Sequence, residues 1–409
     1  MEPSLKKKRK IPILTTTRRL VVKIGSALLV DERTGEIRHE WLNKLADDIA
    51  YLKNKVKEVL IVSSGAIAVG SQHLGINQQI LKLEEKQAAA ATGQIRLAHA
   101  YETALAQHSI TVAQILLSPG DTEERRRHLN ARATLTTLLK FGVIPVINEN
   151  DTVTTKEIRF GDNDRLGARV AQMISADTLI LLSDVDGLYE RDPKKDPSAK
   201  HIENVERISP EIIAMADVAG TDYASGGMIT KLEAAKIATS AGCRMAIVAG
   251  KIMNPLAALE NGARCTWFQA SSTPRGARKS WIASAINPNG AIFLDEGAMK
   301  ALYSGRSILP AGILKVTGSF KRGDLVTVHS PNGDELAKGL VAYSASDAIM
   351  IKGHKSREIE SILGYRGRDE LIHRDDLVLN ELRYFNGIGE QTFSKRYFFV
   401  NDSNGCKGG

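Results

Sequence analysis

Val21-Val22-Lys23-Ile24-Gly25-Ser26 is a short apolar run that ends in a lysine and a glycine turn. A buried strand followed by a turn brings such a lysine out at the edge of a sheet. Glycine there lets the backbone approach an anion closely. Far down the chain the same chemistry recurs in Ser225-Gly226-Gly227-Met228-Ile229-Thr230-Lys231. Here two glycines precede a helical pattern, so free N–H groups and the positive end of a helix dipole face an anion. Two lysines on two such loops read as a polyphosphate held from two sides. The pattern Gly-x-x-x-x-Gly-Lys-Ser/Thr is absent, which argues against a Walker-type ATPase.

Outward from Lys23 the chain repeats the strand-then-turn pattern. Apolar, β-branched runs at 20–24, 59–62, 111–117, 143–147, 178–182 and 245–249 read as buried strands. Helical periodicity is expected at 39–55, 84–107, 129–140, 165–174 and 229–241. The alternation implies an α/β fold with a mainly parallel sheet sandwiched by helices. Ligands in such folds sit beyond the carboxyl ends of the strands. Lys23, Ser63-Ser64-Gly65, Asn148-Glu149-Asn150-Asp151 and Ser183-Asp184 all stand at or just after a strand end. Gly161-Asp162-Asn163-Asp164 precedes a helix. Each has a bland alternative: Ser64 as a helix cap, Asn148–Asp151 as a turn, Asp164 as an acidic first turn, Ser183-Asp184 as a loop. A carboxylate near two active lysines would hold their ammonium groups in place and keep them charged.

Beyond about residue 262 the pattern changes. Ser271-Ser272-Thr273-Pro274-Arg275-Gly276 has the composition of a linker, taken to span 271–289. Residues 290–379 carry short strands between glycine turns and read as a small β-rich, barrel-like domain. The catalytic α/β domain is then expected at 20–270. Residues 1–19 form a basic arm, and the aromatic tail 380–409 has no assigned role. Lys6, Lys7, Lys8, Arg9, Lys10, Arg18 and Arg19 against Glu2 put +6 of the net charge of +8 into that arm, leaving +2 for the rest. Such an arm is read as solvated, with nucleic acid or an anionic surface as its rival partner. Hydrophobic content of 43% and charged content of 25% are those of a globular protein. No apolar run approaches the roughly 20 residues needed to span a bilayer, and the N-terminus lacks the apolar stretch of a secretory signal. Cys243, Cys265 and Cys406 show neither metal spacing nor a disulfide framework, so a cytoplasmic setting is expected.

Taken together, Val-Val-Lys-Ile-Gly-Ser, Val-Ser-Ser-Gly-Ala-Ile-Ala, Leu-Asn-Ala-Arg at 129–132, Pro-Val-Ile-Asn-Glu-Asn-Asp at 145–151, Gly-Asp-Asn-Asp at 161–164, Ser-Asp-Val-Asp-Gly-Leu-Tyr and Ser-Gly-Gly-Met-Ile-Thr-Lys resemble the glutamate 5-kinases of the amino-acid kinase family. The region after the linker, with Asp295-Glu296-Gly297-Ala298 and Ser307-Ile308-Leu309-Pro310-Ala311-Gly312, resembles a PUA domain. The resemblance implies transfer of phosphate from ATP, with Mg2+, to the side-chain carboxylate of L-glutamate, the first step of proline synthesis. It implies Lys23 and Lys231 as stabilisers of the transferring group and Asp164 as their organiser. Ser64, Asp151 and Asn163 would bind glutamate. Lys23, Ser183, Asp184, Ser225, Gly226, Gly227, Met228, Ile229, Thr230 and Lys231 would bind ATP. No protein metal site is expected. Proline inhibition and a homo-oligomer are further implications. Ala27, where a second hydroxyl is common, and Ala224, where the loop often has glycine, depart from the pattern. The rivals are a kinase of the same fold acting on another small acid, and an RNA-binding PUA protein. Against the latter, the basic excess lies in one arm, aromatics are 5% and no stacking motif is present.

Overall fold

A computed structural model describes residues 14, 16–31, 33–55, 58–76, 81–153, 163–193, 195–218, 227–284 and 287–380. The first ten strands in chain order are β1 (Arg19–Ile24), β2 (Glu58–Val62), β3 (Val112–Leu117), β4 (Ile144–Glu149), β5 (Thr178–Ser183), β6 (Leu188–Tyr189), β7 (His201–Ile202), β8 (Asn204–Val205), β9 (Arg244–Ala249) and β10 (Cys265–Phe268). Eight of them form one sheet in the order β3-β4-β2-β1-β5-β9-β10-β8. All neighbours are parallel except β9 and β10, which run antiparallel. The short pair β6–β7 stands outside it. The central strands β1, β4 and β5 are almost wholly buried. This is why they read as continuous apolar runs rather than as alternating ones.

Two apolar layers cover the two faces of the sheet. One gathers the helix His39–Lys55 and much of Leu83–Ala106. The other gathers Asn163–Met173 and Met228–Ser240. The helices Ala66–Leu74 and Leu83–Ala106 cross with their backbones almost touching. A Cβ on Gly70 would lie 1.7 Å from the Ala89 carbonyl oxygen, and one on Gly93 would lie 1.8 Å from that of Ala66.

The second sheet has β11 (Gly290–Leu294), β12 (Ile313–Gly318), β13 (Leu325–His329), β14 (Glu335–Val341) and β15 (Ile372–Leu379), in the order β12-β11-β13-β14-β15. It has its own apolar core, centred on Ile292, Val326, Val328 and Ile372. Pairing is antiparallel apart from β11 with β13.

Two expectations need correction. The stretch read as a linker contains a helix, Pro274–Ser284, that packs on β15. Proline is favoured in the first turn of a helix, so the Ser-Thr-Pro run starts an element instead of marking its absence. The basic arm also ends earlier than residue 19. Leu14 is buried in the core, the Thr17 hydroxyl lies 2.9 Å from that of Thr178, and Arg19 opens β1 with its guanidinium on Glu58. Residues 1–13 and 15 of the arm and the tail from residue 381 lie outside the described residues.

Candidate active site

The sheet lines up its strand ends. In the ladder Lys23 stands beside Val62 of β2 and Leu181 of β5. Ser63 and Ser64 follow β2, Asn148 and Glu149 close β4, and Ser183 closes β5. The carboxyl end of the parallel sheet therefore collects these motifs along one edge.

At its centre lies a buried charge cluster. Asp164 sits in the first turn of the helix Asn163–Met173, and its side chain is 1% exposed. Its Oδ1 is 2.5 Å from Lys23 Nζ and its Oδ2 is 3.2 Å from Lys231 Nζ. Both lysine side chains are themselves buried, at 7% exposure. Burial pushes the Asp164 carboxyl up, but Lys23 and Lys231 pull it down further, so it stays below its ordinary value and remains ionised. An ammonium carries three N–H donors. Binding Asp164 is therefore compatible with donating to a phosphoryl oxygen.

Local structure explains how the three meet. Lys23 leaves the sheet at the end of β1, and the helix Asn163–Met173 packs on that strand. Gly167 faces the lysine stem: a Cβ there would lie 3.4 Å from Lys23 Cβ. Lys231 lies one turn into the helix Met228–Ser240, which Gly227 precedes as its N-cap. The two helices pack side by side. Arg165, next to Asp164, bonds through Nε to Glu233 Oε2 at 2.6 Å and ties them together beside the cluster.

A second, uncharged cluster adjoins it. Asn163 Nδ2 lies 2.5 Å from the Ser63 carbonyl oxygen, 2.8 Å from Ser64 Oγ and 2.9 Å from Asn148 Oδ1. Asn148 Oδ1 also accepts the Glu149 backbone N–H. Ser64 and Asn163 are thus brought together. Gly65, at φ 101°, turns the chain from that serine into the helix Ala66–Leu74. Asp151 is half-buried in the turn after β4. Ser183 is buried and donates to the exposed Asp184 at 3.1 Å. Gly227, Met228, Ile229 and Thr230 form the start of the Lys231 helix, with Thr230 Oγ1 bonded to the Gly227 carbonyl oxygen. Ser225, Gly226 and Ala224 lie outside the described residues, as do Gly161 and Asp162.

Residues 18–249 match the amino acid kinase family, and residues 290–363 match the PUA domain. The chain belongs to the amino acid kinase family. Over 366 residues this family member is 62% identical to the glutamate 5-kinase of Paramagnetospirillum magneticum, covering 90% of this chain and 99% of that one. It is 58% identical over 360 residues to the glutamate 5-kinase of Rhodospirillum rubrum, covering 88% and 96%. It is 57% identical over 366 residues to that of Agrobacterium fabrum, covering 90% and 94%.

Reading the sequence of this amino acid kinase overlooks three contributors to the site. Asn148 belongs to a quoted motif, yet its part in holding Asn163 shows only in three dimensions. The Arg165–Glu233 pair spans 68 residues. Tyr101, whose hydroxyl lies 3.0 Å from Ser63 Oγ, comes from a helix with no motif at all.

Proposed function

We propose that the chain transfers the terminal phosphoryl group of ATP to the side-chain carboxylate of L-glutamate, yielding glutamyl 5-phosphate and ADP. The observation that carries the reading is the buried Lys23–Asp164–Lys231 cluster at the carboxyl end of the sheet. The 56–62% identity to glutamate 5-kinases supports glutamate as the acceptor. An acceptor that is already an anion needs no general base. The task is to offset repulsion between carboxylate and phosphate and to align them. In this reading Lys23 and Lys231 donate to the transferring group while Asp164 fixes the distance between them. Ser64, Asp151 and Asn163 hold glutamate, with the Asp151 carboxylate toward its ammonium. Ser183, Asp184 and residues 225–231 hold ATP.

ATP enters as its magnesium complex. Asp164 has each carboxylate oxygen on a lysine ammonium, so the ion would keep the phosphates and water as ligands. Magnesium supplies charge neutralisation at the phosphates. A homo-oligomer, a cytoplasmic location and inhibition by proline, the end product of the pathway that this step opens, belong to the same proposal.

ADP release tests it. Release should depend on both ATP and glutamate, and should fall to background with aspartate, carbamate or acetate. Faster release with another acid would replace glutamate in this reading.

A further inference from the structure

Tyr101 stands on the helix Leu83–Ala106, 1% exposed, inside the apolar layer that includes Ile61, Leu97 and Leu105. A phenol in such a place needs a hydrogen-bond partner, because a buried hydroxyl without one is costly. Its partner is the loop after β2: the hydroxyl lies 3.0 Å from Ser63 Oγ. Ser63 is also buried, and its Oγ is 3.3 Å from the Ser64 carbonyl oxygen, to which it donates. A serine hydroxyl has one proton. With that proton directed at Ser64, Tyr101 is the donor to Ser63. Burial pushes the Tyr101 phenol well above its ordinary value, which keeps it a donor at every working pH.

From the opposite side, Asn163 Nδ2 reaches the Ser63 carbonyl oxygen and Ser64 Oγ. The Ser63-Ser64 segment is thus gripped between a tyrosine hydroxyl from one helix and an amide from another. A phenylalanine would fill the same apolar volume at position 101. It would lack the hydroxyl that bonds to Ser63.

We infer that Tyr101 is a positioning residue for the phosphate acceptor, acting through Ser63 to fix the Ser64 hydroxyl and its backbone. The inference rests on the glutamate reading above, which puts Ser64 against the amino acid and Lys23 and Lys231 against the phosphates. Tyr101 touches neither substrate. Its effect is therefore selective, showing in glutamate binding and not in ATP binding.

The test is Tyr101→Phe in the full-length chain, with glutamate and ATP titrated separately. Losing one buried hydrogen bond should raise KM for glutamate about tenfold and leave KM for ATP within about twofold. Ser63→Ala should give the same split, and the double variant should be no worse than the more impaired single, because both remove the Tyr101–Ser63 bond and Ser63→Ala alone also removes the one to Ser64. Should Tyr101→Phe fail to fold, Ser63→Ala carries the same split. An unchanged KM for glutamate, equal rises for both substrates, or additive losses in the double variant would each overturn the inference. The wild-type chain in the same assay separates the two ideas. If it shows no glutamate-dependent ADP release, the glutamate reading falls and takes the inference with it. If it is active and the variants match it, the inference alone falls.

Discussion

Among the described residues, two buried aspartates are each gripped by two cations, and only one of these stands at the candidate active site. Asp164 lies between Lys23 and Lys231 at the carboxyl end of the parallel sheet. Asp376, on β15, lies between Arg132 of the helix Arg125–Lys140 and Arg278 of the helix Pro274–Ser284. There Arg278 brings both Nε and Nη2 to Asp376 Oδ1, at 2.9 and 2.5 Å, and Arg132 Nη1 reaches the same oxygen at 3.2 Å. The charge balance is alike, and so is the titration. Burial raises each carboxyl and two cations lower it further, so both end below the ordinary value. A carboxylate with two cations therefore does not by itself make a catalytic centre. The cation type and the place differ. A lysine ammonium is compact, and its donors can turn from a carboxylate toward a phosphate. A guanidinium is planar and its fork is fixed. The first suits a site that must exchange partners. The second suits a clasp, and Asp376 clasps the α/β unit to the C-terminal sheet. Arg125 reinforces that junction through a hydrogen bond to the Gly323 carbonyl oxygen.

The comparison breaks most visibly in turnover. Lys23→Ala and Lys231→Ala should each lower kcat by about 10²–10³ while changing KM for glutamate far less, as expected for donors that act on the transition state. Near-normal turnover in both would remove the contrast between the two clusters. Asp376→Ala should do the opposite. It strands two half-buried guanidinium groups and should destabilise the C-terminal unit by about 3 kcal/mol in urea unfolding, with kcat within about twofold of wild type because no reacting group touches it. A collapse of kcat in a folded Asp376→Ala protein would make the junction part of the catalytic machinery.

Two smaller effects sharpen the contrast. Arg278→Lys keeps the charge but loses the two-nitrogen grip, and unfolding should register a loss of about 1 kcal/mol. No loss would mean that charge alone holds the clasp. The last effect is in acid. The folded-state carboxyl of Asp376 titrates below its ordinary value of 3.8. Its contribution is thus complete above that value and disappears as pH falls below it, through the folded-state titration. The stability gap between wild type and Asp376→Ala should therefore narrow on acidification below about pH 3.8. A gap that stays constant there would assign the Asp376 effect to packing.

Much of the α/β unit was legible because its signals are local. A fully buried parallel strand is an unbroken apolar run, and its end is marked where polar residues begin. Lys23, Ser64, Asn148 and Ser183 could be placed at one sheet edge on that basis alone. What stayed hidden depends on contacts between distant segments. Tyr101 meets Ser63 across 38 residues, and Arg132 meets Asp376 across 244. In sequence the first is one more apolar helix position, and the second closes the Leu-Asn-Ala-Arg motif with nothing to mark its partner. The antiparallel β10 was missed because Cys265–Phe268 is too short to show a period. The helix Pro274–Ser284 was missed because its opening residues have the composition of a loop.

The touching backbones of Ala66–Leu74 and Leu83–Ala106 limit where this enzyme can vary. Gly70 and Gly93 each face a carbonyl oxygen closer than any side chain allows. Enlarging either one pushes the helices apart, and shrinking the other cannot make room because it is already glycine. No pair of single steps leads out of that arrangement. Ala66 begins the helix that follows the Ser64 turn, so that turn inherits the constraint. A saturation library should find these two positions barren, with variation in substrate preference arising instead from the residues that line the turn itself.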